Sequence, residues 1–136
     1  MITEDYVSFE TAKLLKDKGF DERLLTFYIT DKAKKEGYFQ IMAFTDDKID
    51  NNHSGQCYLA PTLQMAMKWL REVHKIGIFP STYTITNSKG SKEEHVYGSA
   101  IVNLITFDLM CDDIMPRNSY EEACEAACIY ALKNLI

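Results

Sequence analysis

The side chains of this sequence that could do chemistry are those of its four cysteines and three histidines. They are Cys57, Cys111, Cys124 and Cys128, and His53, His74 and His95. Thiolates and imidazoles are zinc ligands, and together they supply the nucleophile and base of cysteine enzymes. A structural zinc site usually uses Cys-x2-4-Cys pairs on tight turns, whereas this chain offers one loose pair, Cys124 and Cys128. Because alanines and leucines surround them, the sequence favours two small buried residues on one helix face.

A cysteine nucleophile needs a histidine within hydrogen-bond reach. His53 and Cys57 are close in sequence, but they flank a very polar stretch. His74 falls near the predicted end of a helix, where a structural role is commoner. The sequence has no nucleophile elbow, phosphate loop, dinucleotide fingerprint or His-Glu-x-x-His motif. A small enzyme or metal-binding protein that uses Cys57, His53 or the pair Cys124 and Cys128 is therefore the alternative hypothesis, and no catalytic, cofactor-binding or metal-binding residue is predicted.

One stretch of the sequence partly matches a calcium-binding loop. Asp50, Asn52, Ser54 and Gly55 occupy positions one, three, five and six of that pattern. Position twelve should be a bidentate glutamate, and here it is Pro61. The element before the loop is also a predicted strand rather than the helix that an EF-hand requires. A solvated turn rich in Asp and Asn is the better interpretation.

The composition indicates a soluble globular protein rather than a disordered or membrane-spanning one. The chain has 136 residues, 46% of them hydrophobic, which suits a single domain over residues 1–136. Its net charge of −5 argues against a large nucleic-acid footprint and against binding to an anionic membrane surface. No apolar run is long enough for a membrane span or a signal peptide. We therefore expect a cytoplasmic protein with reduced cysteines and no cofactor.

Two small groups of lysines leave nucleic-acid binding as a second alternative. They are Lys32, Lys34 and Lys35 in one predicted hairpin turn, and Lys89 and Lys92 in another. Charged residues in such turns more commonly keep hairpins soluble and protect their edges.

The pattern of apolar residues predicts an α+β fold in the order α-β-β-α-β-β-α. The predicted helices cover residues 8–18, 60–74 and the segment from residue 119 onward, and the predicted strands cover residues 24–30, 38–44, 78–87 and 96–107, with a short strand at 57–59. Residues 31–37, 45–56, 88–95 and 108–118 are predicted loops. We expect a largely antiparallel sheet packed by helices in a sandwich-like arrangement. Helix starts spaced by about 55 residues are compatible with an internal duplication.

Local signals mark the ends of the predicted helices. Ser8 begins the first helix as its N-cap, and Gly19 ends it in the left-handed conformation that glycine tolerates. Ser119 opens the last helix as part of a capping box with Glu122. Gly77 is predicted to end the central helix.

The central helix has an apolar arc about twice as wide as a helix on a single core usually needs. One apolar stripe contains Leu63, Ala66, Met67, Leu70 and Val73. Beside it, Met65, Trp69 and Ile76 form a second ridge, and methionine and tryptophan are frequent at contact surfaces. We therefore predict Met65, Trp69 and Ile76 as a candidate interface. The alternative is that the first or third helix covers this ridge within one chain.

Three segments carry a resemblance to a known group of proteins. They are residues 6–20 (YVSFETAKLLKDKGF), 60–74 (APTLQMAMKWLREVH) and 119–123 (SYEEA). The chain resembles uncharacterised small proteins encoded by gut bacteria of the Bacteroides group and by their phages and prophages. This resemblance implies a cytoplasmic accessory protein of a phage or mobile element. It carries no assigned activity, so it identifies no functional residue.

The leading hypothesis is a non-catalytic α+β protein that acts through protein–protein binding or self-association. The partner would be a second copy of the chain or a host or phage protein. No membrane partner is expected.

Overall fold

The computed structural model describes residues 1–31, 34–41, 57–86, 90 and 93–136. These residues form three helices and six strands and confirm the predicted α+β class. The helices are α1 (Phe9–Asp17), α2 (Leu63–Val73) and α3 (Tyr120–Asn134). The strands are β1 (Thr26–Asp31), β2 (Lys34–Ile41), β3 (Cys57–Leu59), β4 (Ile76–Thr86), β5 (Glu93–Asn103) and β6 (Leu109–Arg117). The partial calcium loop, His53, Lys32, Lys89 and Lys92 lie outside the described residues.

The chain divides into two compact units, each with its own antiparallel sheet. One unit comprises Met1–Ala66 with Ile136, and the other comprises Met67–Leu135. The first sheet has the strand order β2-β1-β3 and the second has the order β4-β5-β6. A helix followed by three strands thus occurs twice, but the central strand is the first of the three in one sheet and the second in the other. Any duplication is therefore limited to the order of the elements.

In the first unit, α1 has the ends that the sequence predicts. The Ser8 hydroxyl accepts a hydrogen bond from the Thr11 N–H at 3.3 Å. Gly19 adopts a φ of +89°, and the Phe20 N–H donates to the Leu15 carbonyl at 2.9 Å. This is the Schellman arrangement, in which a left-handed residue lets the chain turn back onto the last carbonyls. Leu15 and Phe20 are both buried, so the same turn also contributes to the core.

In the second unit, α3 packs closely on the sheet because small residues make up its buried face, with Leu132 as the larger exception. That face contains Ala123, Cys124, Ala127, Cys128, Ala131 and Leu132. Buried Ser99 on β5 donates from its hydroxyl to the Ala123 carbonyl at 3.1 Å. This hydrogen bond satisfies a polar group that would otherwise be costly to bury.

The structure corrects the predicted end of the central helix. α2 stops at Val73, and Lys75 takes the left-handed conformation with a φ of +57°. Gly77 is a buried residue of β4, where a Cβ atom would come within 2.8 Å of Leu104 Cδ2 and Phe79 Cε2. Gly77 therefore lies where two side chains approach the backbone closely, and it does not form the turn. Ile76 is the first residue of β4 and does not lie on the helix.

Several strand boundaries also differ from the prediction. Residues 108–118, predicted as a loop, contain β6. Residues 96–107, predicted as one strand, contain the second half of β5 and the turn that follows it. β2 begins at Lys34, within a predicted turn. Residues 42–44 of the predicted second strand lie outside the described residues.

Candidate functional site

One face of the β4-β5-β6 sheet is covered by α3. Ser99 and Ile101 point to this side and are buried, and Ser99 is bonded to α3. Cys111 pairs with Ile101 in the register and interacts with Tyr130 of α3. Because paired residues on antiparallel strands share a face, these contacts identify which side of the sheet lies under the helix.

The opposite face of this sheet carries exposed apolar side chains, and we call them the open face. They are Phe79, Tyr83, Ile85 and Leu109, and Leu109 and Phe79 are 60% and 52% exposed. Phe79, Tyr83 and Ile85 are separated by even intervals along β4 and so point to one side. Leu109 of β6 joins them because it pairs with Val102, which in turn pairs with Gly77. The open face therefore contains residues of both edge strands, β4 and β6.

The turn after β5 places two more apolar side chains in solvent. Ile105 and Phe107 are both exposed, and Phe107 has a φ of +62°. The Asn103 side-chain carbonyl accepts from the N–H groups of Ile105 and Thr106 at 2.8 Å and 3.2 Å. These bonds hold the turn in place, although a left-handed conformation is unfavourable for an aromatic residue. The exposed position of Phe107 is thus built into the turn.

The residues of the predicted interface occupy different environments. Met65 is 40% exposed, whereas Trp69 and Ile76 are 8% and 3% exposed. The Trp69 ring lies edge-on to the His74 ring, with 4.6 Å between the ring centroids. The burial of Trp69 and Ile76 is what the single-chain alternative expects. An interface at Met65 stays a prediction.

His74 is the one described residue with a buried side-chain nitrogen or oxygen that has no hydrogen-bond partner. The atom is Nε2, and burial lowers the pKa of this histidine. The neutral imidazole is therefore favoured in the folded chain, because burial removes water from the protonated ring and Nε2 has no hydrogen-bond partner to replace it.

We expect the free energy of unfolding to fall as the pH falls below the pKa of an ordinary histidine side chain, about 6.5. The folded-state pKa of His74 lies below its unfolded value, so the unfolded chain binds the extra proton first. The contribution of His74 to the free energy of unfolding is complete above its unfolded-state pKa and is lost as the pH falls toward its folded-state pKa.

Trp69 is the single tryptophan. Its fluorescence is quenched by a protonated neighbouring imidazole and therefore reports the pKa of His74 directly. A His74→Phe variant should abolish this transition. A midpoint above the ordinary histidine value would contradict the prediction.

The four cysteines are free thiols, and three of them are buried. Burial raises the pKa of Cys124 to about 11 and also raises that of Cys128. Burial raises the pKa of Cys57 as well, and the nearby Lys16 ammonium partly opposes this shift. A nucleophilic cysteine has a lowered pKa, so these environments are the opposite of an activated thiol site.

The described part of the chain shows neither a group of metal ligands nor a membrane-spanning helix. No three His, Cys, Asp or Glu side chains there are grouped as metal ligands would be. No described helix is long and apolar enough to cross a bilayer.

The sequence alone does not identify the open face. Its signal is the apolar alternation at Phe79, Tyr83 and Ile85, set against threonines at the intervening positions 82, 84 and 86. Alternation alone does not say which side of a strand is covered. The missing information was the position of α3, which is a tertiary property.

No protein-family model matches the chain, and neither the curated proteins nor the solved structures provide a match.

Proposed function

We propose that this protein is a non-catalytic accessory protein of a phage or mobile element that acts by binding protein chains through the open face. The observation that carries the proposal is the group of exposed apolar residues Phe79, Tyr83, Ile85 and Leu109 on one side of a sheet. Contiguous exposed apolar surface marks protein-binding sites on soluble proteins, and aromatic residues are enriched there. The phage or mobile-element origin rests on the sequence resemblance alone.

The chemistry of the open face favours a protein over a nucleic acid. Its four members are uncharged, whereas a phosphate backbone is bound mainly by lysine and arginine. The ammonium groups of Lys13 and Lys16 lie 4.6 Å and 4.8 Å from the ring centres of Phe9 and Tyr58. These two lysines therefore pack on aromatic rings of their own unit. The net charge of −5 adds long-range repulsion of nucleic acid.

Site-specific photocrosslinking in cells that express the chain tests this proposal. A photoreactive amino acid at Leu109 should give discrete protein adducts, and these should disappear when Phe79→Ser is added. The matched control is the same photoreactive residue at Gln64, which is exposed on α2. An adduct of twice the chain mass of 15.6 kDa identifies a second copy, and any other mass identifies a different protein. Equally sparse labelling at both positions would overturn the proposal.

A further inference from the structure

The edges of the two sheets are protected to very different degrees. Proteins usually protect an edge strand by making it short, by placing charges or proline on it, or by interrupting it with bulges. β3 has three residues, and β2 carries Lys34, Lys35 and Glu36. β6 carries Asp112, Asp113, Pro116 and Arg117, and its pairing with β5 has two register shifts. β4 lacks such protection over its second half. Residues 37–41 of β2 are also uncharged, so β4 is distinguished by its length of eleven residues against eight.

β4 is long, regular and uncharged. It has eleven residues, none of them Asp, Glu, Lys, Arg or His, and its register with β5 contains no shift. All six residues from Ser81 to Thr86 are exposed. In the described part of the chain, β4 pairs only with β5. Pro80, which has no N–H group, limits the first half of the free edge, so the usable segment begins after it.

The direction of the free backbone groups on β4 follows from one hydrogen bond. The Lys75 carbonyl accepts from the Leu104 N–H at 2.8 Å, so residue 75 directs its backbone toward β5. Backbone groups of successive residues in a strand alternate in direction, so odd positions face β5 and even positions face the free edge. Pro80 is consistent with this assignment. It occupies an even position, so its missing N–H costs no hydrogen bond to β5. Thr82, Thr84 and Thr86 therefore present their N–H and C=O groups outward.

We propose that a second copy of this chain pairs antiparallel with β4 along residues 82–86, with the twofold axis at Thr84. This inference rests on the proposed function and names the occupant of the edge beside the open face. Thr84 then faces its own counterpart, and Thr82 faces Thr86 of the other copy. Tyr83 faces Ile85 of the other copy on the side of the open face.

A second copy fits this edge because the segment is complementary to itself. In the register centred on Thr84, every direct pair is threonine with threonine or tyrosine with isoleucine. Threonine pairs and aromatic–β-branched pairs are among the favourable cross-strand combinations. Two copies with a net charge of −5 each repel one another at long range, and an uncharged strand is where they can approach without opposing like charges directly. The pairing also buries half-exposed Tyr83 and Ile85 of both copies.

Charge variants at the axis test both the partner and the register. Thr84→Lys places two like charges directly opposite each other and should weaken the dimer roughly tenfold, and Thr84→Glu should do the same. Mixing the two variants in equal amounts should restore the dimer, because the opposite charges now meet. Gln64→Lys is the matched control, since it adds the same charge at an exposed position on α2. Light scattering behind size exclusion over a tenfold concentration range gives the mass of each species, and circular dichroism confirms that each variant is folded.

Disulfide trapping gives an independent readout that does not depend on charge. Opposing residues in an antiparallel pair have Cα atoms about 4.5–5.5 Å apart, which suits a disulfide. Thr84→Cys should therefore form a covalent dimer under mild oxidation, and Gln64→Cys should not.

A wild-type chain that remains monomeric at every concentration, or a dimer that Thr84→Lys and Gln64→Lys affect equally, overturns the second copy as the occupant. If photocrosslinking at Leu109 still captures a different protein, the proposed function stands and only this inference fails.

Discussion

Replacement of Trp69 by glutamate is expected to unfold the chain or to bring it close to unfolding. Trp69 is 8% exposed and packs edge-on against His74 at 4.6 Å. Truncation of a buried tryptophan costs about 3–5 kcal/mol, and a buried carboxylate without a partner adds to this loss. The total is comparable with the whole stability of an ordinary domain, about 5–15 kcal/mol. Urea denaturation followed by circular dichroism measures the effect, since the variant lacks tryptophan fluorescence.

The matched control for this experiment is Met65→Glu. Met65 belongs to the same predicted ridge and the same helix but is 40% exposed. Its substitution should change the free energy of unfolding by no more than about 0.5–1 kcal/mol, as is usual for exposed positions. A folded Trp69→Glu variant that has lost association would instead support the predicted interface. Unfolding of Trp69→Glu with a stable Met65→Glu would assign Trp69 to the interior.

The helix ends could be predicted from the sequence because their signals are local. Ser119 accepts from the Glu122 N–H at 3.1 Å, as its capping box predicts. Gly19 adopts a left-handed conformation because glycine has no Cβ atom that would make a positive φ costly. Such features depend on a few neighbouring residues, so no knowledge of the tertiary structure is needed. The exception is Lys75, which adopts a left-handed conformation although its side chain does not favour one.

The missed strand shows where local signals fail. β6 contains adjacent aspartates and Pro116, a composition that favours a loop. It forms a strand because β5 offers backbone partners along residues 97–102, and the register shifts between them accommodate the irregular sequence. Strand propensity depends strongly on the neighbouring strands. The sequence alone could not show that a partner strand was available.

The candidate site depends on the same kind of information. The alternation in β4 is visible in the sequence, but the sequence assigned the interface to the central helix because its apolar arc is wide. The structure buries Trp69 of that helix and leaves Phe79 of β4 exposed. Which apolar face stays uncovered is decided by packing, and packing of α3 against the Ser99 side of the sheet leaves the other side open.

The alternative of a reactive thiol leads to the last prediction, which concerns rates of chemical modification. At neutral pH, a thiol reagent should label the folded chain first at Cys111, which is half-buried, and much more slowly at the three buried cysteines. Burial raises the pKa of Cys124 from 9.0 to about 11, and neighbouring Glu121 and Glu125 add to the shift while a hydrogen bond with Tyr120 opposes it. A shift of this size lowers the thiolate fraction about a hundredfold, and the thiolate is the reacting species.

Mass spectrometry of peptides sampled during the labelling reaction measures each site separately. Cys111→Ser should remove the fast phase and leave the slow phases unchanged. Denatured protein should label all four cysteines together, which shows that the folded environment and not the reagent sets the rates. Rapid labelling of Cys57 or Cys124 in the folded chain would favour the enzyme alternative, because only an activated thiolate reacts quickly from a buried position. Slow labelling at both sites leaves the open face of the β4-β5-β6 sheet as the feature that a functional account of this protein has to explain.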